Sequence, residues 1–305
     1  MRQRDGAEGN LPLPLSTIGL SLDHRRGYPG GNAPPSPRTS SGVPKARNHP
    51  NRSTLNCVTS SLQTSVLLET CIESPTEGLA AQRAGAGRLE LCAGLIEGGT
   101  TPSAGMINEV VERVAVPVFV MVRPRGGGFT YSADELGVMC RDIIVARTAG
   151  ARGIVTGSLA RDRTIDRVQM QRLLDAARPA PVTFHRAFDV TLDLEASLDV
   201  LLDLGVDRVL TSGGAPTALA GAYRIAALVS RAGKDLTVLA GGGVRAPDVR
   251  QLVRRTRVRE VHARPVRPLP EDAAVGLPAL PGIPAGGRSG LDADGIRAMA
   301  EALAG

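Results

Sequence analysis

The sequence predicts an α/β protein: a single (β/α)8 TIM barrel over residues 66–305, preceded by a disordered basic extension over 1–65. Three observations carry this prediction. From Val66 onward, eight short apolar runs alternate with eight helical stretches. The runs are apolar at successive positions, as strands of a parallel sheet covered by helices must be. Eight such units fall within about 240 residues, which suits a closed barrel better than an open sheet. A doubly wound sheet is the competing architecture, but the glycine run "AGGGV" lacks the GxGxxG spacing of a dinucleotide fold.

The elements follow in order. "VLLETCIE" (66–73) reads as the first strand. Ser74-Pro75-Thr76-Glu77 then reads as a capping box with Pro at the first helical position, opening a helix to about Ala84. "GRLELC" (87–92) is the second strand, and Thr101-Pro102 starts a helix ending near Arg113. "PVFVMVR" (117–123) is the third strand; Ser132 and Glu135 cap a helix to about Ala149. "GIVTG" (153–157) precedes a helix over about 166–177, and "PVTFHRA" (181–187) precedes one over about 193–203. "DRVLTSG" (207–213) leads to a helix over about 216–231, and "LTVLAGGG" (236–243) to one near 247–254. "VREVHAR" (258–264) is the eighth strand. A Pro/Gly-rich loop (265–290) then reaches the closing helix "LDADGIRAMAEAL".

Residues 1–65 hold eight Lys/Arg against three Asp/Glu, so the extension accounts for +5 of the chain's net charge of +6. It is rich in Gly, Pro and Ser and holds too little apolar surface to offset the entropy of ordering. An alternative translation start at Val66 is an expectation that this contrast raises. The remaining residues are nearly neutral and aromatics are only 2%, which argues against a nucleic-acid surface. No apolar run is long enough to span a membrane, and no apolar block follows the first charges as in a secretory signal. The four cysteines (57, 71, 92, 140) form no CxxC pair, as expected of a reduced, cytoplasmic chain. Only two lysines occur, Lys45 and Lys234, neither at the C-terminal end of a strand, so Schiff-base chemistry is not expected.

Chemistry on this fold sits at the C-terminal strand ends, and alternation along each strand sorts the side chains by face. One face gathers Glu69, Cys71 and Glu73; Arg88, Glu90 and Cys92; Phe119, Met121 and Arg123; Thr183 and His185; and Glu260 and His262. If these faces point inward, the barrel mouth is rich in ionisable groups that must pair or meet a ligand. Cys71 and Cys92 can be small buried hydrophobes or a thiolate pair for a soft ion such as Cu(I). Glu90 can be a general base or the salt partner of Arg123. His185 and His262 can supply imidazoles to a metal, act as acid and base, or serve as hydrogen-bonded filler. Arg123 and Arg125 beside a glycine loop suit a carboxylate or phosphate. Ser212, Gly213, Gly242 and Gly243 end the sixth and seventh strands, where backbone N–H groups can reach an anion. Tight turns alone would also explain those glycines.

The motifs "LETCIES", "RLELCAGLIEGGTTPS", "VMVRPRGGGFTYSADE", "VTFHRAFD", "RVLTSGG", "GGGV" and "VHAR" occur in that order between about Leu67 and His262. This series resembles the CutC copper homeostasis family. The resemblance implies a (β/α)8 barrel, a cytoplasmic location, a homo-oligomer, and copper handling with Cys71 and Cys92 as Cu(I) ligands. The chain departs from the family's pattern at Glu73, Gly128, Thr156, Arg264 and Pro247-Asp248. Two functional expectations follow. One is a cytoplasmic Cu(I)-binding protein. The other is an isomerase, epimerase or lyase without a Schiff base, acting on a small anionic metabolite through Glu90, His185 and His262.

Overall fold

The computed structural model describes residues 66–268 and 289–305. The extension expected over 1–65 and the centre of the loop over 265–290 lie outside the described residues. The barrel strands are β1 (Leu67–Ile72), β2 (Arg88–Leu91), β3 (Val118–Met121), β4 (Gly153–Thr156), β5 (Val182–Phe184), β6 (Arg208–Thr211), β7 (Thr237–Gly241) and β8 (Glu260–Ala263). All pair in parallel in sequence order, and β8 closes on β1. The helices are α1 (Pro75–Arg83), α2 (Ala104–Arg113), α3 (Ala133–Thr148), α4 (Arg167–Ala177), α5 (Leu194–Asp203), α6 (Ala222–Ala232), α7 (Ala246–Thr256) and α8 (Ala293–Ala304). The expected TIM barrel is therefore the observed fold. No helix among the described residues is long and apolar enough to cross a membrane.

The boundaries shift where strand ends claim neighbouring residues. The helix expected from Thr101 begins at Ala104, capped by Ser103, because Thr101 is strapped to the end of β3. Its N–H donates to the Arg123 carbonyl at 2.9 Å, and its hydroxyl accepts from the Arg123 N–H at 3.0 Å. The fifth strand, expected to 187, stops at Phe184; His185 caps a 3₁₀ turn over Arg186–Val190 by accepting from the Ala187 N–H at 3.3 Å. The sixth helix starts at Ala222 rather than near 216, since the intervening segment wraps over β7 through an Ala218 N–H bond to the Gly242 carbonyl. Ser132 and Glu135 form the full capping box. At α1 only half of it forms: Ser74 accepts from the Glu77 N–H, but Glu77 accepts from Glu73 rather than from Ser74. At the chain's end β9 (Val266–Pro268) pairs antiparallel with β10 (Ser289–Leu291), a ribbon that the loop reading did not anticipate.

Alternate strand residues do different work. The outward set, including Ile72, Leu89, Leu91, Val120, Ile154, Phe184 and Val209, packs against the helices in one large core. Burial of each such side chain contributes about 1.5–3 kcal/mol. The inward set forms a separate, smaller cluster of Cys71, Cys92, Phe119, Met121 and Val155. The face assignment read from alternation therefore holds.

The barrel floor is ionic. Arg88, buried on β2, donates to Glu69 on β1 and to Glu260 on β8, and Arg208 on β6 donates to Glu260 at 3.2 Å. The Phe119 ring packs against both guanidiniums, its centroid 4.9 and 5.0 Å from their carbons. Gly153 makes room for that ring: a Cβ there would stand 2.5 Å from it. Burial alone would raise the Glu69 carboxyl, but the His262 hydrogen bond and the Arg88 charge outweigh it and hold it at about 2. Removing one partner from such a buried network leaves an uncompensated charge. Arg88→Met is therefore expected to destabilise the barrel by about 3–5 kcal/mol, and Glu69→Gln in the same chain to recover part of that loss. Urea unfolding of the single and double variants checks this; equal stability of Arg88→Met and the parent would refute it.

Candidate functional site

Above the floor lies a cavity of about 220 Å³. Cys71, Glu90, Cys92, Arg123, His185 and His262 all line it. Six of the expected site residues, from five different strands or strand ends, therefore meet at one place.

The cysteines stand on adjacent strands, with Sγ atoms 3.6 Å apart and almost no exposed surface. Cys71 pairs in register with Glu90, so Cys92 sits one inward step higher, diagonal to Cys71. The Cys92 Sγ lies 3.5 Å from a Glu90 carboxylate oxygen. One ligand atom from each of Cys71, Glu90 and Cys92 falls within 4.8 Å of the others. Contact with Cys92 favours the Cys71 thiolate, but burial and the Glu90 charge prevail and push that thiol up. The Cys92 thiol is pushed well up by its contact with Cys71, by burial and by Glu90. Without a cation both sulfurs therefore stay protonated and unreactive.

Glu90 links the cysteines to a second group. The His262 Nε2 lies 3.8 Å from Glu90, and its Nδ1 bonds Glu69 at 2.8 Å. Burial disfavours the charged imidazole, but the Glu90 and Glu69 carboxylates overcome it and raise His262 above its ordinary value. Burial raises Glu90, opposed by His262 and aided by Glu69. One Glu90 oxygen, Oε1, is buried with no partner among the described residues.

His185 behaves oppositely. Burial, reinforced by the Arg123 charge, lowers it to about 3. Its Nδ1 accepts the Ala187 N–H, so the neutral ring carries its proton on Nε2, which is buried without a partner. Arg123 is not the salt partner of Glu90. Its guanidinium donates to the carbonyls of Glu97 and Gly99, both at 2.9 Å, and of Gly127 at 2.7 Å. It stacks on Phe129, and its Nε is buried and unpartnered among the described residues. The bonds to Glu97 and Gly99 fasten the loop after β2, whose Leu95 packs against the sulfur cluster.

The remaining expected anion-binding residues lie elsewhere. Arg125 is exposed, paired with Glu135 and stacked on Tyr131, and does not line the cavity. Ser212 and Gly213 turn their backbone N–H groups to internal acceptors: Ser212 to Asp189, and Gly213 to the Thr211 hydroxyl. Gly242 is covered by Arg186, whose guanidinium carbon would stand 3.2 Å from a Cβ there, and a Cβ at Gly243 would meet Thr217 at 3.0 Å. Those glycines are needed for left-handed φ angles, 108° at Gly242 and 65° at Gly243. Two arginines that had no assigned role do line the cavity, Arg186 and Arg264. Each directly follows a histidine or alanine of a strand-end motif, "FHR" and "HAR", which is the one signal that marks them.

The profile of the CutC family matches residues 66–266. A mouse relative named "Copper homeostasis protein cutC homolog" is 46% identical over 196 residues, 64% of this chain and 72% of its own length. A CutC family protein of Caulobacter vibrioides is 42% identical over 205 residues, 67% of this chain and 83% of its own. The solved CutC structure from Streptococcus agalactiae aligns with 36% identity and a TM-score of 0.62, covering 65% of this chain and 97% of that one. With the profile spanning the whole eight-stranded barrel, this chain belongs to the CutC family.

Proposed function

We propose that this chain takes part in copper homeostasis by binding Cu(I) through Cys71 and Cys92, in the cytoplasm and as a homo-oligomer. One observation carries the reading: two free thiols, 3.6 Å apart, face each other in a closed barrel interior. Soft thiolates select Cu(I), which accepts as few as two. The cation would supply the charge that the buried sulfurs lack, so binding releases protons. The relatives' names agree with this reading.

A second reading is favoured by a separate observation. Three buried polar atoms, Glu90 Oε1, Arg123 Nε and His185 Nε2, have no partner among the described residues, and all belong to residues lining the cavity. Leaving such an atom unsatisfied costs about 1–3 kcal/mol, so a small polar ligand is a natural occupant. Three guanidiniums against one glutamate among the lining residues favour an anion. His185, held neutral, can donate from Nε2, while Glu90 beside His262 can take a proton. Groups whose pKa values are driven apart in one site suit acid and base roles. Isomerisation, epimerisation or a retro-aldol step without a Schiff base fits this set, as no lysine lines the cavity.

Competition against a chromophoric Cu(I) chelator tests the first reading. The Cys71→Ala/Cys92→Ala variant is expected to bind about 100-fold more weakly than the parent. Affinity of the parent is expected to rise with pH through the neutral range, because both thiols are held up. Equal affinity of the two proteins would end the copper proposal. The His185 environment predicts a different pH dependence. Its folded value of about 3 lies below the ordinary 6.5, so the unfolded chain binds the extra proton between those limits and stability falls on acidification. Between pH 7 and 5 this amounts to about 2 kcal/mol. His185→Phe is expected to flatten the fall by that amount in urea unfolding; an unchanged slope would show that His185 is not held neutral.

A further inference from the structure

The glycine turn at the C-terminal end of β6 offers backbone N–H groups to an anion, one strand before the usual phosphate position of a barrel of this kind, after β7 and β8. Here those donors already serve an anion of the chain's own. Asp189, in the turn after β5, points its carboxylate across to β6, and its side chain is only 7% exposed. Its Oδ1 accepts from the Thr211 hydroxyl, from the Ser212 N–H at 3.1 Å and from the Gly214 N–H at 3.0 Å. Its Oδ2 shares the Ser212 N–H at 3.1 Å and accepts from the Arg186 Nε at 2.8 Å. The N–H between them, that of Gly213, donates to the Thr211 hydroxyl at 2.8 Å. Every backbone donor from Ser212 to Gly214 is thus taken. The left-handed backbone at Gly213 and Gly214, with φ of 71° and 66°, turns them inward to do so.

The same carboxylate fixes Arg186. Its Nε is held by Asp189 and its Nη2 by the Ser212 hydroxyl at 2.9 Å. The guanidinium lies over Gly242 at the end of β7 and lines the cavity. Its Nη1 makes no hydrogen bond to protein among the described residues.

We propose that Asp189 is an internal surrogate for a ligand phosphate: it fills the strand-end anion cradle, excludes phosphorylated molecules, and holds Arg186 at the cavity mouth to meet a ligand carboxylate. The carboxylate clause deepens the second functional reading and rests on it; the surrogate clause does not. A four-donor cradle that is already neutralised has nothing left for a tetrahedral dianion. A single held guanidinium with a free edge suits a planar carboxylate.

The experiment measures melting temperature at matched ionic strength in chloride, inorganic phosphate, glycerol 3-phosphate and succinate, each at about 20 mM. For the full parent chain neither phosphate is expected to raise the Tm above chloride. For Asp189→Ala, phosphate is expected to raise it by roughly 3 °C or more by occupying the vacated donors. If Asp189→Ala does not fold in chloride, its recovery as soluble protein in phosphate is the expected result. Asp189→Asn, which keeps the volume and removes the charge, gives a second comparison, with a smaller rise specific to phosphate. Phosphate stabilising the parent as much as the variants, or leaving both variants unaffected, would overturn the surrogate. Succinate is expected to stabilise the parent and not Arg186→Met. No effect of succinate on the parent, with the phosphate response intact in the variants, would remove the carboxylate clause and the ligand reading it rests on, leaving the surrogate standing.

Discussion

A single carboxylate with no exposed surface, Glu69, joins the barrel floor to the functional cavity. Below, it accepts from Arg88, and through Arg88 it is tied to Glu260 and Arg208. Above, it holds His262 by Nδ1 and so turns Nε2 toward Glu90. Most barrels fill this layer with branched aliphatic side chains. Here an ion network does much of the filling, with the Phe119 ring against its guanidiniums. The arrangement trades hydrophobic stabilisation for orientation, because a buried ion network tolerates only one geometry. Its consequence is that the tautomer of His262 and the placement of Glu90 are set from beneath, independently of any ligand.

The fold was legible because its signals are local. Strand alternation, capping residues and the eightfold repeat are properties of short windows, and alternation also sorted Cys71, Cys92, Glu90 and His262 to the interior. What stayed illegible depends on long-range competition for hydrogen bonds. Arg125 looks like Arg123 in sequence, yet one turn of loop takes it to Glu135 at the surface. The Glu90–Arg123 pair, plausible on charge alone, does not form because three carbonyls of neighbouring loops claim the guanidinium first. The glycines after β6 and β7 were read as turns whose backbone N–H groups reach an anion; after β6 those groups reach another part of the chain, the Asp189 carboxylate. Asp189 could be found only by asking what satisfies those N–H groups.

The copper and metabolite readings divide the cavity. The sulfurs and Glu90 occupy the wall made by β1 and β2, while His185, Arg123 and Arg186 come from the strands and turns across it. A monovalent cation held by two thiolates would leave a net negative group on the β1–β2 wall. Glu90 is the residue both readings would share, since it contacts Cys92 and faces His262.

Two residues singled out in the sequence form one feature. Glu73 and Arg264 lie at the ends of β1 and β8 and bond each other at 3.2 Å. Arg264 also donates to the Cys71 carbonyl at 2.9 Å and to Glu77 at 3.0 Å. Glu73 accepts from the Leu95 N–H at 3.0 Å, and Glu77 from the Leu291 N–H of β10 at 3.0 Å. The Glu73 carboxylate after β1 thus meets the Arg264 cation after β8, and together with Glu77 they fix the backbone of Cys71, Leu95 over the sulfurs, and the end of β10. A small residue at 264 would leave Glu73 and Glu77 as adjacent carboxylates without a cation. The pairing places a guanidinium at the cavity rim beside Cys71, where it favours the thiolate. That opposes the effect of Glu90 on the same sulfur, while contact with Cys92, which favours the thiolate, and burial, which disfavours it, act more strongly than either.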